Sequence, residues 1–256
     1  MHHFAYRRGV SEANVLHAED IDLGALAADV GTPFYCYSSA TFERHIGVFA
    51  EAFAARPDTL VCYAIKANSN LGVLATLAKH GAGMDVVSEG ELRRALAVGV
   101  PGERVVFSGV GKTKAEMAFA LDAGIFAFNV ESEPELHALS QVAAAKGMTA
   151  RIAFRVNPDV DAGTHHKIST GKAENKFGIP FEAAPSLYRQ ATQLPGIQPA
   201  GIHMHIGSQI TDLAPFANAF ALLKELVATL RAAGLGIEFL NLGGGLGIPY
   251  RHDEPA

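Results

Sequence analysis

A parallel α/β barrel is the fold class this sequence predicts, and three observations predict it. Short apolar segments alternate with Ala/Leu-rich segments of helical period. The strand candidates are apolar on both faces, as strands covered by helices must be. Polar residues suited to chemistry gather at the C-terminal ends of those strands, where barrel sites are built. An open doubly wound sheet accommodates the first two observations equally, and the third favours the barrel.

Composition narrows the function classes. With 256 residues, 49% of them hydrophobic and 18% charged, the chain can bury a substantial core. A formal charge of −5, from 21 basic and 26 acidic residues without a basic block, points away from nucleic acid and anionic membrane and toward a small polar metabolite. No apolar run approaches membrane-spanning length, and Met1 to Arg8 is followed by no apolar segment of the secretory kind. Cys36 and Cys62 lie in apolar strand-like runs without metal-ligand spacing, which fits a reducing compartment. A cytoplasmic location is expected.

From the N-terminus, a polar lead-in precedes Pro33-Phe34-Tyr35-Cys36-Tyr37, which reads as a strand. Thr41 to Ala55 reads as a helix with Phe42, Ile46, Phe49 and Phe53 on one face. Seven strand candidates follow, at Leu60–Ile65, Met84–Val87, Val105–Ser108, Ala127–Val130, Ile152–Val156, Ile202–Ile206 and Ile237–Leu242. Ser88/Glu91, Thr113/Glu116 and Ser132/Glu135 match S/T-x-x-E, so a capping box is expected to open the helix after the second, third and fourth strands. A long polar excursion from Asn157 to Lys172 separates strands five and six, and loops of that length in compact domains are usually lids or binding loops. After the seventh strand the sequence reaches Glu254-Pro255-Ala256 without an eighth. An incomplete barrel, belonging to a longer protein, is therefore expected, with an uncovered sheet edge.

Several residues could do chemistry. Lys66 either snorkels to water or, held largely desolvated at a barrel mouth, acts as an amine nucleophile toward an aldehyde. His203 and His205 are two apart and project to one face. They read as satisfied interior histidines, as a metal pair lacking a recognisable third ligand, or as a site where one imidazole stacks on a planar cofactor. Gly243-Gly244-Gly245 is either a tight turn or an anion-binding nest, and Ser208 beside Gly207 offers a hydroxyl at a neighbouring strand end. Asp85 and Arg155 sit in apolar strands, where each needs a partner, and a closed barrel could pair them with each other. Gly109-Val110-Gly111-Lys112-Thr113 ends like a nucleotide P-loop, but the first glycine of that motif would fall on Val106, so it fails. An amine, an imidazole and a glycine nest together are what a pyridoxal phosphate site needs, and no metal is required.

These residues resemble the fold-type III pyridoxal phosphate decarboxylases. The likeness runs from Gly31-Thr32-Pro33-Phe34-Tyr35 through Tyr63-Ala64-Ile65-Lys66-Ala67-Asn68, Gly83-Met84-Asp85-Val86-Val87-Ser88-Glu89-Gly90-Glu91-Leu92 and Arg155-Val156-Asn157-Pro158. It continues through His203-Met204-His205-Ile206-Gly207-Ser208-Gln209 to Gly243-Gly244-Gly245. The segment Asn157 to His165, with Lys167 to Gly171 and Asn175-Lys176-Phe177-Gly178, is similar to the diaminopimelate-specific branch rather than to ornithine or arginine relatives. The resemblance implies an alanine racemase-like (β/α)8 barrel over residues 41–256, cut before its eighth strand, with residues 1–40 pairing with a C-terminal β-domain that is absent here. It implies pyridoxal 5'-phosphate bonded to Lys66, His205 stacked on its ring, phosphate held by Ser208 and Gly243 to Gly245, and Asp85 and Arg155 beside it. His165, Lys167 and Ser169 would belong to a substrate lid. The implied reaction is decarboxylation of meso-2,6-diaminopimelate to L-lysine and CO2, in a homodimer. Family members carry an E-P-G-R-like strand and a cysteine-bearing β-domain that this sequence does not show, so activity of these residues alone is not expected. A pyridoxal phosphate carrier without decarboxylase activity, a decarboxylase of another basic amino acid and a metal-dependent hydrolase are the competing readings.

Overall fold

The computed structural model describes residues 3–8, 14–158 and 177–248. What reads in sequence as a polar lead-in is a structured unit. β1 (Phe4–Arg8), β2 (Asn14–Ala18) and β3 (Ile21–Asp22) form an antiparallel meander. Asp22 caps α1 (Leu23–Val30), its Oδ1 accepting from the Gly24 and Ala25 amides at 2.7 and 2.9 Å. Glu19 ties the meander to α2 (Ser39–Glu51), its Oε1 accepting from Ser38 Oγ and the Ala40 amide. The helix thus begins two residues earlier and ends sooner than its apolar spacing predicts. Pro33–Tyr37 is not a strand. It joins no sheet among the described residues, and Tyr35 is 89% exposed, stacked on Tyr37. Residue preference for strand cannot act without a neighbouring edge to supply the ladder.

The expected repeat then unfolds in order: β4 (Cys62–Ala64), α3 (Leu71–Lys79), β5 (Gly83–Val86), α4 (Glu89–Ala97), β6 (Val105–Phe107), α5 (Lys114–Asp122), β7 (Ala127–Val130), α6 (Glu133–Ala145) and β8 (Ala150–Asn157). After Phe177 come β9 (Ile179–Pro180), α7 (Ala184–Ala191), β10 (Ile197–His203), α8 (Ala214–Ala232) and β11 (Phe239–Asn241). The strands pair in the order β11-β10-β8-β7-β6-β5-β4, all parallel, with β9 adding to β8. That order never reverses, whereas a doubly wound sheet requires a reversal. Right-handed crossovers then keep every helix on one face, and the sheet curls about the other. β4 and β11 do not pair with each other among the described residues, so the barrel is incomplete.

Packing shows which face is which. Phe154 meets Tyr188 of α7 edge-on at 5.0 Å, so Phe154 points to the helices and its neighbours Ala153 and Arg155 to the interior. α8 lays Pro215, Ala219, Leu223, Leu226 and Leu230 along one buried stripe, each leucine contributing about 1.5–3 kcal/mol of burial. β10 is shifted at Pro199, which has no amide to donate, so the register steps between Pro199 and Gly201. Phe239 lies where a Cβ on Gly201 would be, which explains that glycine. No helix among the described residues is long and apolar enough to cross a membrane.

The capping signals hold with one refinement. Thr113 and Glu116 form the reciprocal box at α5. Ser88 and Ser132 accept from the amides of Glu91 and Glu135, but those glutamates reach back one residue further, to the amides of Val87 and Glu131. Each helix start is thereby tied to the end of the preceding strand, which fixes the loops that carry the site.

Candidate active site

The C-terminal strand ends bring together most of the residues singled out in the sequence. Parallel register sets Arg155 of β8 opposite His203 of β10, and His203 opposite Asn241 of β11. All three belong to the interior-facing set fixed by Phe154. Strand β10 stops at His203, so His205, expected within the strand, lies in the loop two residues beyond it.

The glycine loop supplies the closest fit. Gly243 has φ 69° and Gly245 φ 103°, and a Cβ there would lie 2.3 Å from Met204 O or 1.9 Å from Gly207 O. Only glycine lets the loop after β11 lie directly against the loop after β10. The two are joined by Ile210 N–H to Gly245 O at 2.9 Å and Gly247 N–H to Ile210 O at 2.8 Å. Ser208, exposed, sits in the loop so paired, as anticipated. The nest is more committed than its sequence implies. The Gly243 amide donates to Asn241 Oδ1 at 2.9 Å and the Gly244 amide to His205 Nδ1 at 3.3 Å. At Gly244 a Cβ would meet nothing, so the loop has open space there.

The Gly244 contact also settles a proton. Nδ1 of His205 accepts, so a neutral ring carries its hydrogen on Nε2. Burial, then the Arg155 and Lys66 charges, push the His205 imidazolium down to about 4. His203 is buried, and the same burial, joined by Arg155, lowers it well below the usual imidazole range. Both rings are neutral at pH 7. Among the described residues no third His, Cys, Asp or Glu joins them as a ligand set.

Of the two readings open for Lys66, the structure favours the exposed one: it lies in the tight turn Ile65–Ala67 after β4, the strand at the sheet's open edge, and is exposed rather than desolvated. Its place just past the C-terminal end of β4 puts it at the same end of the sheet as Asp85 and His205. Asp85 is pushed up to about 6 by burial, opposed by the bond from Ser108 Oγ at 2.6 Å and by Lys66. Ser108 in turn accepts from Asn129 Nδ2 at 2.9 Å. Asp85 and Arg155 do not pair with each other. Arg155 Nη1 lies 3.2 Å from both carboxylate oxygens of Glu131, and its Nη2 donates to His205 O at 3.5 Å. The staggered strands put Asp85 across from Val106 and leave the end of β7 beside Arg155. Glu131 escaped the sequence reading, although a charged residue directly after an apolar strand was the available signal. Lys112 of the failed P-loop is a buried strut, donating to Gly109 O, Asn129 O and Glu135 Oε1. His165, Lys167 and Ser169 lie outside the described residues.

Comparison with known proteins gives the family of the chain. Residues 39–256 match the profile described as "Pyridoxal-dependent decarboxylase, pyridoxal binding domain". The chain belongs to the pyridoxal-dependent decarboxylases. It is 52% identical over 255 residues to the diaminopimelate decarboxylase of Vibrio cholerae, covering 100% of this chain and 60% of that protein. It is 51% identical over 240 residues to that of Pseudomonas aeruginosa, covering 94% of this chain and 58% of the relative. The crystal structure of diaminopimelate decarboxylase from M. jannaschii in complex with L-lysine superposes with TM-score 0.90 at 39% identity, covering 99% of this chain and 59% of that one. The Helicobacter pylori enzyme complexed with L-lysine gives 0.88 at 41%, covering 91% and 59%. The chain thus spans about 60% of the length of the curated relatives it matches. The cofactor of this pyridoxal-binding domain is pyridoxal phosphate, and the site fits it: an amine at the mouth, a neutral flat imidazole, and a loop whose Cβ-free backbone leaves room for an anion.

Proposed function

We propose that this chain is the pyridoxal phosphate-binding part of a meso-diaminopimelate decarboxylase, converting meso-2,6-diaminopimelate to L-lysine and CO2. One observation carries the reading: the Gly243–Gly245 loop, closed against the loop bearing Ser208, holds His205 by its Nδ1, while Lys66 follows β4 at the same end of the sheet. Lys66, Asp85, Arg155, His205, Ser208 and Gly243 to Gly245 would hold the cofactor. Bound pyridoxal phosphate supplies the electron sink for the pair left behind when carboxylate departs as CO2.

The chain's own residues supply the setting. Neutral His205 presents a flat apolar face and cannot repel a cationic ring. Asp85, ionised at pH 7 and fixed by Ser108, sets a negative charge in the wall of the site, and Lys66 offers its Nζ as the nucleophile. Arg155, buried and paired with Glu131, reaches through Nη2 to His205 O and so positions the loop that bears the imidazole. His165, Lys167 and Ser169 are assigned to substrate contact, residues 1–40 to pairing with a C-terminal β-domain, and the whole enzyme to a cytoplasmic homodimer.

Reconstitution with pyridoxal phosphate, borohydride reduction and peptide mapping test the assignment. Label on Lys66 is expected, and label on another lysine in its place rejects it. Release of CO2 and L-lysine from meso-diaminopimelate by the full-length enzyme separates a decarboxylase from a carrier, which would bind cofactor and release neither.

A further inference from the structure

Glu131 is a carboxylate that the reaction scheme leaves unused, yet it is 3% exposed at the end of β7. Its side chain faces two ways. Toward β8, both oxygens lie 3.2 Å from Arg155 Nη1, and Arg155 reaches on to His205 O. Toward β6, Oε1 accepts the Gly109 amide at 3.1 Å. Gly109 adjoins Ser108, whose hydroxyl holds Asp85. Glu131 itself is fixed from behind, because its amide donates to Glu135 Oε2 and Glu135 pairs with fully buried Lys112 at 2.7 Å.

Arg155, Glu131, Glu135 and Lys112 make a buried quartet of zero net charge. That balance keeps the guanidinium from being an uncompensated buried cation. We propose that Glu131 is a positioning residue for the cofactor site, orienting Arg155 and the His205 loop on one side and the Ser108–Asp85 pair on the other. This inference rests on the pyridoxal phosphate reading of the same pocket. Its geometry predicts more than stability: a displaced Arg155 and Ser108 would misplace two walls of the site at once, and misplacement of about 1 Å is worth roughly a hundredfold in well-aligned chemistry.

The test uses Glu131→Gln and Glu131→Asp in the full chain. Glu131→Gln keeps an acceptor for Gly109 but removes the charge facing Arg155, and Glu131→Asp keeps the charge on a shorter arm. Pyridoxal phosphate affinity, read from the absorbance of the lysine-bound cofactor, is expected to weaken roughly tenfold or more in Glu131→Gln and less in Glu131→Asp. In cofactor-free protein, the Arg155 side-chain NMR signals are expected to be resolved in the parent and to collapse in Glu131→Gln. Affinity within about twofold of the parent, with Arg155 signals unchanged, overturns the proposal. If both variants fail to fold and Glu131→Gln/Arg155→Met restores folding, the role is structural only and the proposal falls. A parent chain that binds no pyridoxal phosphate sinks the functional reading instead, and the Arg155 signals then decide the positioning claim alone.

Discussion

Asp85 carries an interior carboxyl whose proton is held more tightly in the native protein than in the unfolded chain, with its value moved from 3.8 to about 6. This group's contribution is most favourable below pH 3.8 and is lost as pH rises through about 6, a cost on the order of 3 kcal/mol at pH 7. Asp85→Asn is therefore expected to stabilise the fold at pH 7 by up to about that amount and to be nearly neutral at pH 4, read from urea unfolding at both pH values. Equal gains at the two would show that burial of charge is not the cause. At this scale the sequence was informative wherever residue type alone limits the chemistry. Lys66, His205, Ser208 and the glycines could be singled out because amine, imidazole and Cβ-free backbone have few substitutes. The partner of Arg155 could not, because Glu131 reaches it only through the register between β7 and β8.

Helix starts were readable for a different reason: capping is local, with donor and acceptor three residues apart. Yet Glu116 does more than its motif implies. Besides closing the box on Thr113, its Oε1 accepts the amide of Glu89 at 3.1 Å, the first residue of the neighbouring helix α4. Glu116→Ala is accordingly expected to cost about 2 kcal/mol, roughly twice Glu91→Ala, since it uncaps two helix ends. Thermal unfolding of the two variants side by side checks this, and equal costs would assign Glu116 to α5 alone. Strand boundaries were less legible. Pro33–Tyr37 has strand composition without an edge to join, and β10 stops at His203 because its ladder partners β8 and β11 pair no further along it.

Across the whole molecule, the strand ends concentrate neutral histidines inside a charged ring. His203 and His205 both have native values below 6.5, so the stability they permit is complete above that pH and is lost as pH falls, for His205 through about 4. Asp85 works in the opposite direction between 3.8 and about 6 but is one group against two. Unfolding at pH 5 is therefore expected to take up protons, measurable by calorimetry in buffers of different ionisation enthalpy. Net proton release would contradict the buried, neutral state of the two rings.

Read alone, the sequence determined the alternation of strand and helix, the capped helix starts and the cofactor class, and it singled out Lys66, His205 and the glycine loop as candidates. Each of these follows from local spacing or from the chemistry of single side chains. Only the tertiary structure decided that Lys66 stands exposed at an open sheet edge, that two of the three glycine amides already have acceptors, and that Arg155 answers to Glu131 rather than Asp85. The physical reason is that parallel strands joined through helices meet at a stagger set by the curl of the sheet, and that stagger chooses which distant side chains become neighbours.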